Sequence, residues 1–124
     1  MHYLISPIVA DDPARMKYVF TWAKSHHGWH RRAACVALIR GARRKMFFPE
    51  ITRSSALLFN DESDMVQKGL GWLLRETAKA DPKRTVPYLM RIRKNASRLV
   101  LRTACETLPP ATRRYLLSPV RNSR

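Results

Sequence analysis

The stretch from Val66 to Lys79 holds an informative set of groups that could meet a polyanion. If Val66 centres the buried face of a helix, Leu70, Leu73 and Thr77 fall close to it. Lys68, Trp72, Arg75 and Lys79 then fall on a different side, at spacings of three, four and seven. Cations in such a row neutralise phosphates, and an interleaved indole packs on sugar or base. The same spacing also describes a solvated basic face with Trp72 lying against a neighbouring helix. Arg31 and Arg32 raise a related question. They lie in or near the first turn of a helix, where the backbone dipole favours anions and disfavours cations. Something negative is required there, either a buried carboxylate or a bound phosphate.

Other chemistries find less support. His26, His27 and His30 surround Trp29, but a metal ion needs further ligands, and Cys35 and Cys105 are remote in sequence. These histidines read as a surface loop, and no metal or cofactor is expected. A Gly-rich phosphate loop, a Gly-x-Ser-x-Gly elbow and a Cys-x-x-Cys pair are all absent. Among the acids Asp11, Asp12, Asp61, Asp64, Glu76, Asp81 and Glu106, none has a pairing that marks it as catalytic. Asp12 and Asp81 each precede a proline and read as helix caps.

The charge balance favours a polyanionic partner. Lys and Arg number 24 against 9 Asp and Glu, a net charge of +15 on 124 residues. Self-repulsion of that size opposes compaction unless a partner relieves it. Nucleic acid is the expected partner. A membrane is not, because no apolar run approaches the roughly 20 residues a span needs. The basic residues are also spread over every segment rather than massed in an anchoring patch. The first ten residues make a poor secretory signal, and two isolated thiols suit a reducing, cytoplasmic setting.

The elements that would position these residues are helices. Asp12-Pro13 opens a first helix over about 13–25, carrying Met16, Val19, Phe20 and Ala23. Gly28 breaks it, and Trp29 to Arg40 reads as a second. Phe48-Pro49-Glu50 starts a third with Ile51, Leu57 and Leu58 inward. Asn60 to Ser63 supplies the cap of a fourth, over about 63–80. Asp81-Pro82 opens a fifth with Val86, Leu89 and Met90, which Pro87 should bend or delay. A sixth follows Asn95-Ala96-Ser97, Pro109-Pro110 ends it, and a short turn from Arg113 to Leu117 closes the fold. No segment alternates with period two. Helix starts near 13, 50 and 83, interleaved with 28, 63 and 97, give a period of about 35 residues, that of HEAT or TPR helical pairs. The expectation is all-α: HEAT-like helical-pair repeats forming a short α-solenoid of about three pairs. The repeat domain would span 13–117, with 1–12 the remnant of a preceding helix or turn and 118–124 a frayed tail.

Two longer stretches and a closing one carry a family resemblance. Trp22-Ala23-Lys24-Ser25, followed by Trp29-His30-Arg31-Arg32-Ala33-Ala34, is similar to the W-A-x-S and W-x-R-R-A-A blocks of the DNA alkylation repair family of HEAT-like DNA glycosylases. Asp64-Met65-Val66-Gln67-Lys68-Gly69, running into Gly71-Trp72-Leu73-Leu74-Arg75-Glu76, matches its D-x-V-Q-K-G-x-G-W-x-L-[KR]-E segment. Arg102-Thr103-Ala104, Glu106 and Leu108-Pro109 resemble its closing R-x-A-x-E-x-L-P. The resemblance implies an α-solenoid that cradles duplex DNA in a basic concave groove and hydrolyses the N-glycosidic bond of N3- and N7-alkylated purines. It implies that Trp72 is an aromatic wall and that Arg32 contacts the DNA backbone near the lesion. Arg31, Lys68 and Arg75 are then supporting cations or structural pairs.

One departure limits the transfer. In the family, an Asp stabilising the oxocarbenium-like sugar and a further Trp lie upstream of the block beginning at Trp22. Here His2-Tyr3-Leu4-Ile5-Ser6 holds neither, and Asp11 and Asp12 come too late in the chain. No catalytic residue is assigned, and the chain reads as the C-terminal half of such a protein. Two functions follow: a component of alkylated-DNA repair, or a non-catalytic HEAT-like module that binds nucleic acid or protein. A truncated solenoid should also self-associate through its exposed N-terminal end.

Overall fold

The computed structural model describes residues 16–119, and the capping role expected of Asp12, with the assignments for 1–12 and most of 118–124, lies outside them. Among the described residues every element is helical: α1 Met16–Ala23, α2 Gly28–Ala37, α3 Ile39–Arg43, α4 Phe48–Leu58, α5 Asp64–Ala80, α6 Pro82–Ile92, α7 Arg98–Ala104 and α8 Pro110–Leu117. First members of pairs begin at Met16, Phe48 and Pro82, second members at Gly28, Asp64 and Arg98. That spacing is consistent with an all-α helical-repeat solenoid.

Local chemistry sets the boundaries. Ser63 caps α5, its hydroxyl accepting from the Val66 N–H at 3.4 Å, and Ser97 caps α7 by accepting from Val100 at 3.2 Å. Asp81 caps α6 ahead of Pro82 and also accepts from Arg84 Nε at 2.7 Å. The turns that precede the second helices are tied to one another. Arg31 of the first pair bonds Asp61, and the Asn60 amide donates to the Asn95 carbonyl one period further on. Ser97 N–H also reaches the Phe59 carbonyl at 2.9 Å. Adjacent repeats are therefore joined through their turns as well as through their apolar faces.

Helix α5 is the centre of the packing, touching α2, α3, α4, α6 and α7. Val66, Leu70, Leu73, Leu74 and Ala78 are buried on it, together with Gly69, Gly71, Glu76 and Thr77. Two close approaches to α5 are made at glycines. A Cβ on Gly69 would stand 3.0 Å from Cγ of Arg32 on α2, and one on Gly71 would stand 2.7 Å from Cβ of Thr103 on α7. At 100° per residue these glycines lie on well-separated sides of α5, so α2 and α7 grip it from two directions.

Several expectations need correction. The second helix does not run to Arg40: it ends at Ala37, where the Leu38 N–H takes a tighter bond to Cys35 O, and α3 follows. Pro87 does not delay α6, which begins at Pro82 and runs through to Ile92 with the Pro87 ring on its exposed side. Leu57 and Met90, expected inward, are exposed; Ser54 and Ser55 on α4 and Tyr88 on α6 take the buried positions. The segment expected as a short closing turn is the helix α8, which Pro110 opens at its first turn.

Candidate nucleic-acid interface

A helix surrounded by five others has little surface left, and beyond the exposed first-turn residues Asp64 and Met65 the surface left on α5 is mainly its cationic stripe. Lys68 and Lys79 are exposed and Trp72 and Arg75 half-buried, while the residues between them on the remaining faces are buried. Trp72 also packs against the core, so its ring is anchored along one side. The indole is packed along one side and half-exposed beside the cations.

Arg32 stands at one border of this stripe. Its aliphatic stem lies across Gly69, and among the described residues its guanidinium has no ion pair and no hydrogen bond. Thr103, against Gly71, marks the other border. Just beyond it, Glu106 Oε1 lies 3.3 Å from Arg75 Nε as an ion pair, without hydrogen-bond geometry. Arg75 also approaches Glu76 at 3.9 Å, so its charge is partly balanced within the fold.

Arg31 has a different environment. Its Nε donates to Asp61 Oδ2 at 2.7 Å, its Nη2 to Oδ1 at 3.1 Å, and its Nη1 to the Ser25 carbonyl at 3.0 Å. The side chains are 14% and 8% exposed, so this two-point pair is largely desolvated. Hydrogen bonding to Asp61 raises the Arg31 pKa further above its ordinary value. Of the adjacent arginines at the start of α2, one is held by a carboxylate, and the other has no such partner among the described residues.

The carboxylates near the stripe are engaged. Glu76, one turn beyond Trp72, is buried and accepts from Arg43 Nε at 3.1 Å. Its charge is already paired with guanidiniums inside the fold. Both thiols are buried, and desolvation pushes Cys35 up to about 12 and Cys105 to about 11.

Sequence reasoning missed one arrangement. His30 lies between Trp22 and Trp29 with its ring nearly parallel to both, at centroid distances of 6.2 and 6.0 Å and interplanar angles of 19° and 7°. Ser25 Oγ, 2.9 Å from His30 Nδ1, fixes the ring, and Trp29 is 69% exposed. His26 and His27 remain exposed in the turn. The available signal was the Trp22-to-Trp29 spacing across a single turn, which places two indoles around the first turn of α2. Among the described residues, no group of three His, Cys, Asp or Glu side chains could hold a metal ion. No helix there is long and apolar enough to cross a membrane.

The sequence model of a family described as DNA alkylation repair enzyme matches residues 1–108. No curated protein and no solved structure matches the chain.

Proposed function

The chain belongs to the DNA alkylation repair enzyme family, and on that premise we propose that it binds duplex DNA carrying alkylated purines through the accessible face of α5. One observation carries the reading: beyond its first turn, the central helix is covered from Lys68 to Lys79 except along Lys68, Trp72, Arg75 and Lys79, with the guanidinium of Arg32, unpaired among the described residues, beside them. Arg32 takes a backbone phosphate, Lys68 and Lys79 neutralise the neighbouring ones, and Arg75 adds a partial charge. Trp72 presents an indole to the lesion. An N3- or N7-alkylated purine carries positive charge, so a π-face attracts it more than it attracts an unmodified base. Arg31 serves by holding α2 to the Asp61 turn, which sets the position of Arg32. The HEAT-like domain of 13–117 would present this face as the wall of a groove, in a cytoplasmic, DNA-associated protein.

The reaction proposed for the site is hydrolysis. Water adds at C1′ of the deoxyribose, the C1′–N bond breaks with its electron pair passing to the base, and the water proton leaves to solvent. Alkylation makes the base a good leaving group. The described residues supply the wall and the phosphate anchor, and no acid among them is assigned to the sugar. Release of N7-methylguanine and N3-methyladenine from methylated duplex DNA, measured beside binding to the same duplex, tests both parts. Release that falls with Trp72→Phe supports the repair reading. Salt-sensitive binding without release supports the second reading, a non-catalytic DNA-binding module, which the paired states of Glu76 and Glu106 favour. Absence of binding overturns both.

A further inference from the structure

The last helix, which lies beyond the family match, carries a second cationic feature. Pro110, Arg113, Arg114 and Leu117 recur at helical spacing and share one face of α8. With Arg98 at the start of α7 and Ser118 they line an open depression of about 440 Å³, and among the described residues that line it there is no carboxylate. Its frame is fixed. Arg93 donates to the carbonyls of Tyr115, Leu116 and Ser118, and Arg98 Nη1 donates to that of Leu117. These bonds occupy the carbonyls that a helix C-terminus leaves open, where a cation is also favoured by the dipole. Arg113 and Arg114 have no comparable engagement: among the described residues their side chains make no ion pair.

Three guanidiniums around one depression repel one another, and an anion between them removes that repulsion. Their forked N–H groups match phosphate oxygens two at a time, and Pro110 and Leu117 offer apolar contact to whatever the phosphate is attached to. We propose that this depression binds a phosphate group between Arg98, Arg113 and Arg114. The group is either a backbone phosphate of DNA or a free phosphorylated small molecule. The first source rests on the DNA-binding reading above, and the second does not.

The test uses the full chain, Arg114→Ser, the double variant Arg113→Ser/Arg114→Ser, and Lys83→Ser as a control at an exposed lysine outside any site. Melting is followed as inorganic phosphate replaces chloride at constant ionic strength. The melting temperature of the native chain and of Lys83→Ser should rise with phosphate, that of Arg114→Ser should rise less, and that of the double variant least of all. Duplex binding across a salt series separates the sources. A backbone phosphate makes the double variant lose about 1 to 2 units of the slope of log K against log salt. A free phosphate leaves that slope unchanged. If the double variant fails to fold, Arg114→Ser carries the test, since Arg114 is exposed. Equal phosphate responses in the native chain and the arginine variants, with equal salt slopes, overturn the proposal. A native chain that binds no duplex overturns the preceding section and leaves the phosphate response to decide this one.

Discussion

Gly69 on α5 and Arg32 on α2 are in contact, and a Cβ at residue 69 would stand 3.0 Å from Arg32 Cγ. The glycine therefore sets where the open guanidinium lies. In Gly69→Ala the stem of Arg32 must move by a few tenths of an ångström. Stability should change by less than about 1 kcal/mol, because alanine is the better helix former and the stem is flexible. Duplex affinity should nevertheless fall several-fold toward that of Arg32→Ala. Unchanged affinity in Gly69→Ala, measured by anisotropy alongside urea unfolding, would separate the two residues functionally.

The contact at Gly71 is less forgiving. A Cβ there would lie 2.7 Å from Thr103 Cβ, an atom fixed to the α7 backbone. Gly71→Ala should destabilise the fold by about 1–3 kcal/mol through overpacking. Urea unfolding gives the number. A stability equal to or above that of the native chain would mean that α7 can withdraw from α5 at no cost.

Asp61 neutralises Arg31 at the start of α2. Asp61→Asn should cost about 2 kcal/mol, since it leaves a largely desolvated guanidinium without its charged partner. Adding Arg31→Gln should recover part of that loss, and a double-mutant cycle reads the coupling. Purely additive effects would show that the pair does not hold the turn to α2.

The thiols give a pH dependence whose sign is fixed. Burial raises Cys35 to about 12 and Cys105 to about 11, whereas unfolded thiols ionise near ~8.5. Their protonated state thus contributes stability that is complete below about pH 8.5. That contribution is lost as pH rises toward 11 and 12. Chemical denaturation at pH 7, 9 and 10 should show the decline, and Cys35→Ala should flatten it. In the native state at pH 7 a thiol reagent should leave both cysteines unmodified, with reaction only on unfolding.

Much of this architecture was legible because its signals are local. Ser63, Asp81 and Ser97 mark helix starts by side-chain chemistry that needs no tertiary partner, and the period of the α5 apolar positions places its stripe directly. What the sequence left open depends on distant chain. The spacing around Arg31 required an anion without saying whether it was Asp61, 30 residues away. The break at Leu38 and the exposure of Leu57 and Met90 follow from which neighbours cover each helix, a property that periodicity alone does not carry. The Trp22–His30–Trp29 series crosses a turn between two helices, so no single helical face reveals it.

The most direct measurement is the affinity of the chain for methylated and unmethylated versions of one duplex across a salt series, with Arg32→Ala and Trp72→Phe beside it. Salt-sensitive binding to both duplexes is expected, tighter to the methylated one. Arg32→Ala should weaken both and lower the salt slope by about 1, and Trp72→Phe should remove the preference for the methylated duplex. Equal affinity of the native chain for the two duplexes, or variants that bind as it does, would contradict the assignment of the α5 face.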